Sequence, residues 1–208
     1  RPLSVGISCR YAEGSGADDV TFSTVEIKAG YQLTDRFSLL GIIPVVSQQS
    51  GPLGTVAGIG DTIVKGTYRL TEGDESVLTL ETGLKLATGD ANMDPTLPQV
   101  YQTGLGTNDV LLGLNYRRAG VGLSVGYQWV PSHFNDNALA QLKRGDDLFL
   151  QGSYTYGTGN WSFTGIALAI QRLEESEIMG SGTVADSAQL QVNSSAAYSP
   201  NRVASGVV

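Results

Sequence analysis

The 208-residue chain has one cysteine, Cys9, and one histidine, His133. A lone thiol excludes an internal disulfide and any cysteine-based zinc cluster. Charged residues make up only 16% of the chain, which argues against both a charge-driven disordered segment and a long-helix protein. The 13 Lys and Arg are scattered and outnumbered by 20 Asp and Glu, for a net charge of −7. There is no basic stripe, so no nucleic-acid partner is expected. No apolar run approaches the roughly 18 residues that a membrane helix needs. If the chain enters a membrane, it must do so as a closed barrel, because an open sheet would leave backbone groups unpaired in lipid. The length suits one domain spanning residues 1–208. Arg1-Pro-Leu-Ser-Val5 enters a strand pattern at once, with no signal peptide. Arg202-Val-Ala-Ser-Gly-Val-Val208 resembles the opening of a strand. The expectation is a processed or partial chain, incomplete at its C-terminus.

What the chain has is glycine, 27 of them, and a repeating alternation of apolar and polar residues. Five alternating runs end in a tyrosine followed by a tight polar turn: Tyr31, Tyr68, Tyr116, Tyr156 and Tyr198, roughly 40 residues apart. Alternation with a period of two means strands. Val25, Ile27, Ala29, Tyr31 and Leu33 share one face of the clearest run, and Thr24, Glu26, Lys28, Gly30 and Gln32 share the other. Later runs repeat the register: Val64 and Tyr68 against Asp61, Lys65 and Arg69; Leu80 and Leu84 against Glu81 and Lys85; Leu112 and Tyr116 against Asp109 and Asn115.

A soluble sandwich also alternates. Here, however, the apolar face carries Leu, Val and Ile in mid-strand and aromatic residues near the ends, the order of a membrane barrel with aromatic girdles. The girdle candidates are Tyr31, Tyr68, Tyr116, Tyr127, Trp129, Tyr156 and Tyr198. The polar face mixes both charge signs, and its lumen-lining candidates are Glu26, Lys28, Asp61, Lys65, Arg69, Glu81 and Lys85. They read either as a structural network that satisfies its own polar groups or as a selectivity lining for a solute.

Connections alternate in length. Short turns follow the marker tyrosines, and long loops fall near residues 12–19, 47–58, 88–107, 132–146 and 173–186. One rim of tight turns and one of long loops is the outer-membrane arrangement. The count gives 10 or 11 strands in these residues. Closure with an even number makes the expected fold an all-β, up-and-down antiparallel transmembrane barrel of about 12 strands, the last missing from this chain. The run around Trp161–Ile170 is apolar on both faces, so its outward side stays open.

Gly58-Ile-Gly-Asp-Thr-Ile-Val-Lys-Gly-Thr-Tyr-Arg-Leu70, Leu80-Glu-Thr-Gly-Leu-Lys-Leu-Ala-Thr-Gly-Asp90 and Gly104-Leu-Gly-Thr-Asn-Asp109 resemble a family of bacterial outer-membrane β-barrels. That family is labelled as transporters of the meta-pathway of phenol degradation. The likeness spans roughly residues 20 to 130, and Ala87 stands where the family usually has proline. It implies uptake of small, hydrophobic or aromatic molecules across the outer membrane.

Other motifs carry less. Asp90-Ala-Asn-Met-Asp94 begins like a calcium loop, but Pro95 replaces the required glycine and no glutamate follows at the right distance. His133 has no accompanying serine motif, so neither a phospholipase nor any other enzyme is expected. No cofactor is expected. Asn160 and Asn193 begin chance sequons, and Cys9 has the parity of Val5 and Ile7 on the apolar face. Two functions remain: a channel or transporter for small molecules, or a closed barrel whose loops bind other envelope proteins. Both place the chain in the lipid bilayer of a bacterial outer membrane.

Overall fold

The structure, a computed structural model, describes residues 3–13, 19–73, 76–131, 134–137, 140–143, 145–173, 176–178, 182–184 and 189–198. His133 and the tail after Tyr198 lie outside them. The strands are β1 Leu3–Glu13, β2 Thr21–Gln32, β3 Phe37–Gly51, β4 Gly54–Gly58, β5 Thr62–Glu72, β6 Ser76–Leu86, β7 Asp109–Arg118 and β8 Val121–Trp129. They continue as β9 Phe134–Asn137, β10 Ala140–Lys143, β11 Asp147–Thr158, β12 Trp161–Arg172, β13 Ser176–Ile178, β14 Gly182–Val184 and β15 Gln189–Tyr198. Among the described residues the only helical element is one 3-10 turn, Gln99–Tyr101.

The main sheet is a curled antiparallel meander in the order β1-β2-β3-β5-β6-β7-β8-β11-β12-β15, with β4 paired to β3. Every neighbouring pair is antiparallel, as consecutive strands joined by hairpins must be. β1 and β15 are the edges of this sheet among the described residues. A two-residue hairpin joins β7 to β8 through Ala119 (φ 44°) and Gly120 (φ 86°). Positive φ at both central residues is what a two-residue turn needs to match strand twist.

The registers put the two sequence faces on two sides of one sheet. Leu80 lies opposite both Tyr68 and Leu114, and Leu114 lies opposite Val125. Glu81 lies opposite Thr67 and Gly113 on the other side. Exposure alternates with the faces. On β12 the pattern runs exposed, sheltered, exposed from Trp161 through Leu168, as expected of the convex and concave sides of a curled sheet. The apolar face is the exposed one: Val64, Leu84, Leu112, Leu123, Val125 and Leu150 all stand open.

The neighbours of β12 settle its direction. Trp161, Phe163 and Ala167 pair with Tyr198, Ala196 and Val192 on one side and with Thr158, Tyr156 and Gly152 on the other. They therefore belong to the apolar, exposed face. Ile166, Leu168 and Ile170 share the sheltered face with Phe149, Gln151 and Ser153. That face is apolar here because its own residues are, not because the strand is reversed.

Three expected loops contain strands. The segment 47–58 continues β3 to Gly51 and returns as β4, a flap paired Ser47 to Gly58 through Gly51 to Gly54. The segments 132–146 and 173–186 contribute β9, β10, β13 and β14 to a second, four-stranded sheet. Backbone pairing there outweighs the Ser, Gln, Asn and Gly content that reads as loop.

Candidate functional site

Residues at or next to the ends of six strands meet on the sheltered face at the long-loop rim. Asp109 opens β7 and lies opposite Lys85 near the end of β6. Asp147 opens β11 and lies between Gln128 of β8 and Arg172 of β12. Asp61 directly precedes β5. These side chains form a belt. Lys85 Nζ stands 3.2 Å from Asp61 Oδ2 and 3.0 Å from Asp109 Oδ2. Gln128 Nε2 donates to Asp109 Oδ2, and Arg172 Nε donates to Asp147 Oδ1 at 2.9 Å. Asp109 is fully buried, and Lys85, Gln128 and Asp147 nearly so. Charges this sheltered persist only with opposite partners and hydrogen bonds, because desolvation is otherwise too costly.

Two further charged groups lie deeper on the same face. Lys65 Nζ is 3.1 Å from Glu81 Oε2. Glu26, 2% exposed, takes Arg10 and, at 3.5 Å, Lys28, while Ser8 Oγ donates to it at 3.1 Å. Arg69 shares this face nearer the short-turn rim, opposite Thr79. The seven charged candidates therefore fall on one face but into separate groups. Arg10, Asp109, Gln128, Asp147 and Arg172 join them. For Arg10, Asp109, Gln128 and Asp147 the signal in the sequence is parity, since each continues the polar alternation of its strand to the rim; Arg172 ends a run that is apolar on both faces and carries no such signal.

The connection between β6 and β7, residues 87–108, folds over this belt. Asp61 holds both of its ends: Gly89 N donates to Oδ1 and Leu105 N to Oδ2, each at 3.0 Å. Lys85 Nζ adds a bond to Thr107 O at 3.0 Å. Ala87 N donates to Asn108 Oδ1, and Thr88 Oγ1 to Gly60 O. Within the loop, Gln102 Nε2 donates to Asp94 O and Leu97 O, while its Oε1 accepts from Asp94 N. Leu97 and Tyr101 then pack with Val20, Val56 and Phe22, all on the sheltered side of β2 and the flap. Tyr101 is wholly buried, and its hydroxyl accepts from Leu53 N.

The carboxylates of the calcium-like stretch are used locally. Asp90 Oδ1 accepts from Asn92 N, and Asp94 Oδ1 from the hydroxyl and N–H of Thr96. The Thr96 hydroxyl bond, and then its backbone bond, hold the Asp94 carboxyl below its ordinary pKa. Among the described residues no group of three or more His, Cys, Asp or Glu is placed to hold a metal ion.

Gly104 is where the loop doubles back. A Cβ there would stand 2.5 Å from the backbone carbon of Gly89 and 2.8 Å from Asp61 Oδ1. Neither backbone nor carboxylate can give way without breaking the Asp61 bonds. Gly104→Ala should therefore loosen the loop while leaving the strands paired. Limited proteolysis should show faster cleavage within residues 87–108 and no change elsewhere.

The opposite face carries the girdle candidates. Tyr31, Tyr68, Tyr116 and Tyr156 are exposed near the short-turn rim, joined there by Trp161 and Phe163, stacked with centroids 6.3 Å apart. Tyr198 lies opposite Trp161 in register. Trp129 is exposed at the long-loop rim. Tyr127, on the same rim, is half-buried and donates its hydroxyl to Asp146, so part of its ring is committed to the connection before β11. No protein-family model matches this chain, and no curated protein is significantly similar to it.

Proposed function

We propose that the chain is a β-barrel of a bacterial outer membrane that closes with 12 strands and admits small molecules through its lumen. One observation carries this reading. Between the rims, the exposed face of the described meander is apolar and carries no Asp, Glu, Lys or Arg, while the charges lie on the sheltered face. In water such a face would be a large uncovered apolar patch; in lipid it is the expected outside of a barrel. Strands of 9–12 residues from β5 through β12 in the main sheet match the roughly 9–11 that a tilted strand needs to cross a bilayer. Closure is required, since unpaired edge groups in hydrocarbon cost several kcal/mol each. The 12 strands proposed here are two more than the ten of the meander.

The sheltered face supports a solute with apolar surface. Leu40, Ile42 and Pro44 of β3 lie on it opposite Gly30, Lys28 and Glu26, and Phe149, Ile166, Leu168 and Ile170 lie on it from β11 and β12. Small hydrophobic or aromatic molecules, as the family resemblance implies, fit that lining. A second reading, a barrel closed by its own loop whose remaining loops bind other envelope proteins, draws on the buried belt and the packed loop 87–108. Purified protein in planar bilayers decides between them. A channel gives stepwise conductance and solute uptake into liposomes; the absence of both overturns the channel and favours the closed barrel.

A further inference from the structure

We infer that residues 87–108 form the constriction of the lumen and that Asp61 is the positioning residue that holds this loop across the mouth, an inference that rests on the barrel reading above. The loop packs on the sheltered face, not on the exposed one: its buried residues Leu97 and Tyr101 contact Val20, Val56 and Phe22. It covers the belt so completely that Thr107 and Asp109 are 2% and 0% exposed. In a closed barrel, matter on that face stands in the path of a solute.

The attachment is concentrated. A single carboxylate accepts one N–H from each end of the loop, Gly89 and Leu105, and is itself held by Lys85 of the wall. Lys85 also binds the loop at Thr107 O and the wall at Asp109. Asp61, with no role in strand pairing of its own, thus couples the loop to three strands at once. Hydrogen bonds to an ionised group are about twice as strong as neutral ones, so its removal releases both ends together. The Leu97–Tyr101 core, Lys85 at Thr107 O and Thr88 at Gly60 O then remain as the tethers of a loosened loop.

The test compares the parent with Asp61→Ala and Asp61→Asn by single-channel conductance in planar bilayers. It also compares liposome swelling with arabinose, sucrose, raffinose and stachyose, neutral sugars of rising size. Retained heat-modifiable gel mobility reports an intact wall. Asp61→Ala should raise conductance severalfold and shift the sugar-size limit upward, and Asp61→Asn, which keeps one acceptor, should fall between. A purely structural Asp61 would lower the folded fraction without moving the size limit. If Asp61→Ala does not fold, the Leu97→Ala/Tyr101→Ala double variant releases the loop from the other side without touching the belt. An unchanged conductance and size limit in folded variants overturns the inference and leaves the channel reading intact. Conductance in the variants but not in the parent supports the placement of the loop as a full seal and overturns the open channel. Silence in parent and variants alike overturns both.

Discussion

Arginine in place of Leu114 should cost about 2–4 kcal/mol, the depth-dependent penalty for a cation on the lipid side of a barrel at mid-bilayer. Leu114 is 39% exposed and sits mid-strand on β7, between Leu80 of β6 and Val125 of β8. None of its cross-strand partners is charged, so on the proposed membrane reading an arginine there meets only hydrocarbon. The measurement is folding into lipid vesicles followed by urea titration, with Asn115→Arg on the sheltered face as the companion. The prediction separates the membrane barrel from a soluble sheet, because in water an exposed leucine exchanged for arginine changes stability by about 0.5 kcal/mol or less. A loss that small would count against the membrane reading, whatever the strand count.

Lys85→Met should produce the other large effect, a loss of about 3–5 kcal/mol from removing one partner of a buried ion cluster. Methionine keeps much of the stem volume, so the loss reports charge rather than a cavity. What remains is Asp61 facing Asp109, the latter fully buried, without the ammonium group that bridges them. Removing one negative charge should restore part of the stability, so Lys85→Met/Asp109→Asn should be more stable than Lys85→Met alone. Urea midpoints of the single and double variants in vesicles supply the comparison. Additive losses would show that the three side chains do not act as a unit.

The residues that carry the family resemblance also build the belt and its loop. Asp61, Lys85, Gly89, Gly104, Thr107 and Asp109 lie in three separate segments and converge on one carboxylate and one ammonium group. Their presence was legible in the sequence, but their convergence was not. Lys85 stands 24 residues from both Asp61 and Asp109, and only strand register brings those positions together. The flap β3–β4 was illegible for another reason. Gln48 to Gly54 is built of turn-forming and polar residues, and pairing with β2 on one side and within the hairpin on the other makes strands of them. Asp147 follows the same rule as Lys85, since its parity was visible and its meeting with Arg172 depended on β11 and β12 aligning end to end, whereas the face of Arg172 was set only by the neighbours of β12.

By itself the sequence determined the all-β character, the antiparallel order and the two faces, since side-chain direction alternates with a period of two along any strand and needs no partner to be read. It also determined which rim has tight turns. The tertiary structure decided the direction of β12, whose two apolar faces are distinguished only by neighbours of known direction. It decided, too, that the connection 87–108 is a packed element. Leu97 and Tyr101 are two of several apolar residues in this stretch, and they acquire a role only when Val20 and Val56, far away in the chain, supply the surface that buries them. Periodicity is local and survives in one dimension, whereas burial and ion pairing are relations between distant segments and exist only once the sheet has set their register.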